Sequence, residues 1–183
     1  MRQFGFLVVA ILLASGLLLD GLWLGSSPHA TAGAAPLTVA GTLSGPGEDP
    51  PNDSTGTGST RVTFDPIAHT LSVQITFSGM ASPTTASHIH ACTAAPLTGT
   101  AAVATQLPRF TDFPTDVTSG SYSRTFDTLD PATYNPAFVT ANGGTAAGAE
   151  VALATCMASG QSYLNIHSTQ YPAGEIRAFL TPV

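Results

Sequence analysis

Thr70-Leu71-Ser72-Val73-Gln74-Ile75-Thr76-Phe77-Ser78 alternates apolar with hydroxyl or amide side chains, without a break. A period of two is that of a strand, whose successive side chains leave opposite faces. Leu71, Val73, Ile75 and Phe77 therefore line a core, while Ser72, Gln74 and Thr76 face water. Just upstream, Thr60 to Phe64 repeats the alternation with Val62 and Phe64 on one side. Asp65-Pro66-Ile67-Ala68-His69 between the two runs is turn chemistry, and His69 is expected to be solvated there. Residues 60–78 are thus expected to form an antiparallel hairpin with one buried face.

Working outward, Leu37 to Leu43, Ser87 to Cys92 and Ser119 to Asp127 read as further strands, the last anchored by Tyr122 and Phe126. Gly45 to Gly58 is a Gly/Pro/Asp/Thr loop with no period. Asn135-Pro136 is an N-cap followed by proline at the first helical position, and Asn142-Gly143-Gly144 stops that short helix. Thr145 to Ser159 is alanine-rich and ends at Gly160, which predicts a second helix with an apolar face of Val151, Leu153, Ala154 and Met157. Ser162 to His167 and Glu175 to Leu180 then form a terminal hairpin around Tyr171-Pro172-Ala173-Gly174. About seven strands separated by turns predict an all-β antiparallel sandwich or barrel with a short helical crossover.

Composition narrows the function. The chain has 183 residues, only 9% charged, a formal net charge of −6 and no lysine. Five scattered arginines cannot supply the clustered cationic face that a nucleic-acid binder needs. They equally argue against adsorption to an anionic membrane. No G-x-S-x-G, P-loop or H-E-x-x-H motif is present. The scattered Asp112, Asp116, Asp127 and Asp130 read as turn and capping residues rather than paired catalytic carboxylates. No catalytic group is assigned, and the chain is expected not to be an enzyme.

The N-terminus reads as an export signal. Arg2 opens it, Phe4 to Leu24 is apolar apart from Asp20, and Ala30-Thr31-Ala32 matches a cleavage site. Residues 1–32 are then a signal peptide and residues 33–183 one domain. The apolar run is also about as long as a bilayer span, so an uncleaved membrane anchor is the second reading. Either way the domain is placed outside the cytoplasm: secreted, periplasmic or in the cell envelope. Two cysteines, Cys92 and Cys156, follow the signal. In an oxidising compartment such a pair reads first as a disulfide, with thiolate metal ligation as the alternative.

Histidines carry the candidate chemistry. His88 and His90 stand at i and i+2, so on a strand both leave the same face about 7 Å apart. In Tyr163-Leu164-Asn165-Ile166-His167, Leu164 and Ile166 share one face while Tyr163, Asn165 and His167 share the other. Ile89 and Ile166 facing the core would put His88, His90 and His167 together on one outer face. Glu175 and Arg177 follow the same parity in the last strand. Such a set can hold one copper or zinc ion, with Glu175 orienting an imidazole and Arg177 close by. The competing reading is a hydrogen-bonded structural cluster, with Glu175 paired to Arg177.

At these residues the sequence resembles the CHRD (chordin-type) domain family. Ser87-His88-Ile89-His90, Tyr163-Leu164-Asn165-Ile166-His167-Ser168 and Pro172-Ala173-Gly174-Glu175-Ile176-Arg177 look like its signature blocks. Glu48-Asp49-Pro50-Pro51 fits an upstream acidic-Pro-Pro block. The family pattern has valine where Asp49 stands and glycine where Ala91 and Ala178 stand. The resemblance covers about residues 37–181. It implies an extracellular or periplasmic β-domain of a type first described in chordin, a binder of growth factors, with no established catalysis. The His-x-His strand is also similar to the copper strand of the copper/zinc superoxide dismutases. An immunoglobulin-like or dismutase-like sandwich is the architecture implied. A two-metal dismutase site needs more histidines than follow the signal, whereas one three-histidine site does not. The functions to be distinguished are an exported binding module with a metal site, a structural or adhesive envelope domain, and, least supported, a dismutase-like enzyme.

Overall fold

The computed structural model describes residues 35–183, so the expected signal or anchor over residues 1–32 lies outside the described residues. Eight strands form one antiparallel sheet: β1 (Leu37–Ser44), β2 (Thr57–Asp65), β3 (Thr70–Ser78), β4 (Thr84–Ala91), β5 (Gly120–Asp127), β6 (Ser162–Ser168), β7 (Ile176–Phe179) and β8 (Thr181–Pro182). Their spatial order is β4-β6-β7-β1-β2-β3-β5, with β8 added beside β1. The sheet curls into a half-barrel. Its two edges are drawn together where Thr84 N–H donates to Val117 O and Asp116 N–H donates to Thr84 O, both at 2.9 Å.

The predicted hairpin forms, with Val62 paired to Val73 and Phe64 to Leu71. Leu71, Val73, Ile75 and Phe77 are all buried, as the alternation requires. Ser72, Gln74 and Thr76 lie on the other face, and the Ser59 and Thr76 hydroxyls bond each other across it. Phe110 and Phe113 close the barrel mouth against Tyr122 and Phe126. His69 keeps its side chain 42% exposed in the turn, as expected, but is not free there. Its Nδ1–H donates to Glu150 Oε1 at 2.9 Å, tying the hairpin turn to the crossover helix.

That crossover runs from edge strand β5 to β6 through α1 (Pro136–Ala141) and α2 (Ala146–Ala158). Asn135 caps α1 by accepting from Ala137 N–H, and Thr145 caps α2 by accepting from Gly148 N–H. α2 packs against β1, β4, β6 and β8. Its buried face is Ala149, Glu150, Leu153, Cys156 and Met157. Val151, expected on that face, is instead 65% exposed. The disulfide orients the helix: Cys92 and Cys156 are bridged, Cα atoms 5.4 Å apart, so the docked face is the one that carries Cys156. Among the described residues, no helix is long and apolar enough to cross a membrane.

One expectation about layers is corrected. The face of β4, β6 and β7 opposite the core is not an outer, solvated one. β4 and β6 are buried on both sides, because residues 92–119 and 45–56 fold over them.

Candidate metal centre

β4 and β6 are hydrogen-bonded neighbours, and their register sets His88 opposite Asn165, His90 opposite Tyr163 and His167 opposite Ala86. Ile89 and Ile166 point into the core, so the three imidazoles leave the same side. One ring nitrogen from each lies within 4.8 Å of the other two. His88 and His90 are buried, 5% and 8% exposed, and His167 is half-buried at the rim.

The other nitrogen of each ring is committed to a backbone carbonyl. His88 Nε2–H donates to Pro108 O at 2.7 Å, His90 Nδ1–H to Ala101 O at 2.9 Å, and His167 Nδ1–H to Pro172 O at 2.9 Å. A carbonyl only accepts, so each outer nitrogen must carry the proton. Each inner nitrogen of a neutral ring then presents a lone pair. His88 Nδ1 faces His167 Nε2 at 3.2 Å with no proton between them. Burial is the main force on their titration. It lowers His88 and His90 to about 4, against the opposing pull of their carbonyl partners, and lowers His167 as well. The cluster is therefore three neutral imidazoles at neutral pH, the ligand form for a transition metal.

The ring planes are held from outside. Tyr163 stacks on His90 at 4.5 Å between centroids and 10° between planes. Arg177 lies over the Tyr163 ring, 3.7 Å from guanidinium carbon to centroid, and over Phe179. Arg177 thus sits on the expected face, one strand beyond Asn165, yet it hydrogen-bonds to no imidazole. It is 1% exposed, and only its Nη2, which donates to Gly99 O, has a partner.

Glu175 does not stand beside the histidines. Its Oε1 accepts from Ser54 Oγ at 2.7 Å and from Ala81 N–H at 2.6 Å, so it clamps two loops. The strand alternation does not reach it, because β7 begins at Ile176 and the chain enters through Gly174 at φ +139°. No Glu175–Arg177 ion pair forms either. The carboxyl near the cluster is Glu48, delivered by the loop after β1. Burial raises Glu48 to about 7, against the pull of Arg177 and of the Asn165 amide. Its Oε1 has no hydrogen-bond partner. Glu48 was visible only as part of the acidic-Pro-Pro block, and Asn165 only as a residue sharing the face of Tyr163 and His167. A surface depression of about 500 Å³ lies elsewhere, an open hydroxyl-lined pleat over β2, β3 and β5 with Ser59, Gln74 and Ser121 on its walls. It is too shallow and open to compete with the histidine cluster as a site.

Sheet, disulfide and cluster together define an all-β domain with a polar second face shielded by its own loops. The chain belongs to the CHRD domain family, whose model matches residues 39–180. No curated protein and no solved structure matches it.

Proposed function

We propose that this CHRD domain is an exported, non-enzymatic module that holds one copper or zinc ion through His88, His90 and His167. The observation that carries the reading is the proton arrangement. Three carbonyls fix the outer protons, three inner lone pairs converge, and burial keeps the rings neutral. Two facing lone pairs at 3.2 Å repel each other, and a cation between them turns that contact into a bond pair. Carbonyl-held imidazoles are the usual outer support of a metal-ligating histidine. A binding role rather than turnover is favoured because residues 92–119 cover the cluster and only His167 reaches the rim. Export is favoured by the bridged cysteines, since structural disulfides persist in oxidising compartments.

The test is metal analysis of the protein expressed through an export pathway, followed by calorimetric titration with Zn²⁺ and Cu²⁺. About one equivalent should bind, and His90→Ala should lower affinity by at least 100-fold. Equal affinity in wild type and His90→Ala would refute the site. A protein that binds neither ion leaves the histidines as a structural cluster in an envelope domain.

A further inference from the structure

The histidines are not the only acceptors that converge. Asn165 is 2% exposed and is the cross-strand partner of His88. Its Oδ1 lies 3.2 Å from His90 Nε2. The Ala101 carbonyl already claims the proton of His90 on Nδ1, so this too is a contact between two acceptors with no hydrogen between them. The amide nitrogen of Asn165 points the other way. It lies near Glu48 Oε1 in the space a Gly174 Cβ would fill, where that Cβ would meet them at 2.8 and 2.4 Å.

Resting on the three-histidine reading above, we propose that Asn165 Oδ1 is the fourth donor of the same centre. The set becomes three imidazole nitrogens and one amide oxygen, with Glu48 as the residue that positions the amide. Two independent distances support it. His88 Nδ1 to His167 Nε2 and His90 Nε2 to Asn165 Oδ1 are both 3.2 Å. A tetrahedral shell with bonds of about 2.0–2.1 Å has edges of about 3.3 Å. One cation answers both acceptor–acceptor contacts once the three ring nitrogens, now within 4.8 Å of one another, draw in to that spacing. No other placement of protons does so without charging a buried ring or turning the Asn165 amide over. Turning the amide would set its Oδ1 beside Glu48 Oε1. In the orientation observed, Nδ2–H faces the Glu48 carboxyl, which draws electron density toward Oδ1 and strengthens it as a donor.

The donor set also selects the ion. An amide oxygen is a hard ligand and imidazole a borderline one. The centre then suits Zn²⁺ or Cu²⁺ in preference to Cu⁺, which favours sulfur donors. No thiolate competes for the ion, because both cysteines are bridged.

The experiment uses Co²⁺ as a spectroscopic substitute for Zn²⁺ in the full exported protein. Wild type should show the intense visible bands of four-coordinate cobalt. Asn165→Ala should still bind, with bands several-fold weaker as water enters and with Zn²⁺ affinity lower by about 10–100-fold, the range that supporting groups of metal sites show when removed. Asn165→Asp should restore the four-coordinate spectrum, which a merely structural asparagine would not predict. A second readout needs no variant: the Asn165 side-chain ¹³Cγ resonance should shift on Zn²⁺ addition along with the three histidine rings. Unchanged cobalt bands and affinity in Asn165→Ala, or a static ¹³Cγ beside shifting rings, would overturn the fourth donor and leave the three-histidine site standing. Wild type that binds neither Co²⁺ nor Zn²⁺ would overturn both.

Discussion

Gly174 shows how tightly the centre is built at the scale of one residue. It sits at φ +139°, a conformation L side chains rarely adopt, and a Cβ there would meet Glu48 and Asn165 inside contact distance. Gly174→Ala therefore carries two penalties, backbone strain of about 1–3 kcal/mol and displacement of the Glu48 carboxyl. Urea unfolding should show that loss of stability, and Zn²⁺ affinity should fall with it. Wild-type stability and affinity in Gly174→Ala would show that the Glu48–Asn165 gap is looser than its geometry indicates. This part of the site was hidden in the sequence for a physical reason. Parity along β4 and β6 places His88, His90 and His167 on one side, because strand geometry is local. Glu48 reaches the same place through a loop far away in the chain, and no local pattern reports that. Glu175 shows the converse: alternation assigns a side only where the backbone is a strand, and at Glu175 it is not yet one.

Among the elements, the β2–β3 hairpin was the most legible, because one face is wet and one dry. Phe77→Ala removes a buried ring that stacks on Phe113 and should cost about 3–5 kcal/mol in chemical denaturation. A loss below about 1 kcal/mol would mean the barrel mouth collapses freely around the gap. β4 and β6 were legible as strands but not as the floor of a second layer, since a strand buried on both faces has no alternation to read. Part of their cover is the segment 92–119, whose start is pinned by the Cys92–Cys156 bridge to α2. That segment supplies the Ala101 and Pro108 carbonyls that set the proton positions on His90 and His88. The bridge closes a loop of 64 residues in sequence separation, worth roughly 4 kcal/mol in the chain-entropy model. The Cys92→Ala/Cys156→Ala double variant should lose about that much in urea, with a larger m-value as its unfolded state expands. Its Zn²⁺ affinity should also fall, because the carbonyls are no longer held in place. Unchanged affinity at reduced stability would separate the cover from the site.

For the whole molecule, the buried polar layer makes stability depend on pH in a defined direction. His88 and His90 are lowered from 6.5 to about 4 on folding. Between those values the unfolded chain binds more protons than the folded one, so stability rises with pH. Their contribution is complete above about 6.5 and is lost as pH falls toward 4, of order a few kcal/mol for each ring. His167 acts in the same sense. Glu48 acts in the opposite sense. It is raised from 4.5 to about 7, so its contribution is complete below 4.5 and is lost as pH rises through 7. Between pH 4.5 and 6.5 the imidazoles outnumber the single carboxyl and the net slope is positive. From 6.5 to 7 only the Glu48 slope remains, and it is negative. The metal-free protein should therefore be most stable near pH 6.5, and unfold with steep acid sensitivity below it. Glu48→Gln should remove the decline above pH 6.5 and leave the acid edge in place, whereas His90→Ala should make only the acid edge shallower, since His88 and His167 still titrate. Saturating Zn²⁺ at about 100 times its Kd should raise stability by about 2.7 kcal/mol at pH 7. That increment should vanish toward pH 4, where protons compete for the lone pairs. Urea unfolding from pH 4 to 8, with and without Zn²⁺, reads all of these slopes. A metal-free profile that is flat from pH 4 to 6.5 would show that the three imidazoles are not held neutral by burial, and the convergence of lone pairs would lose its basis.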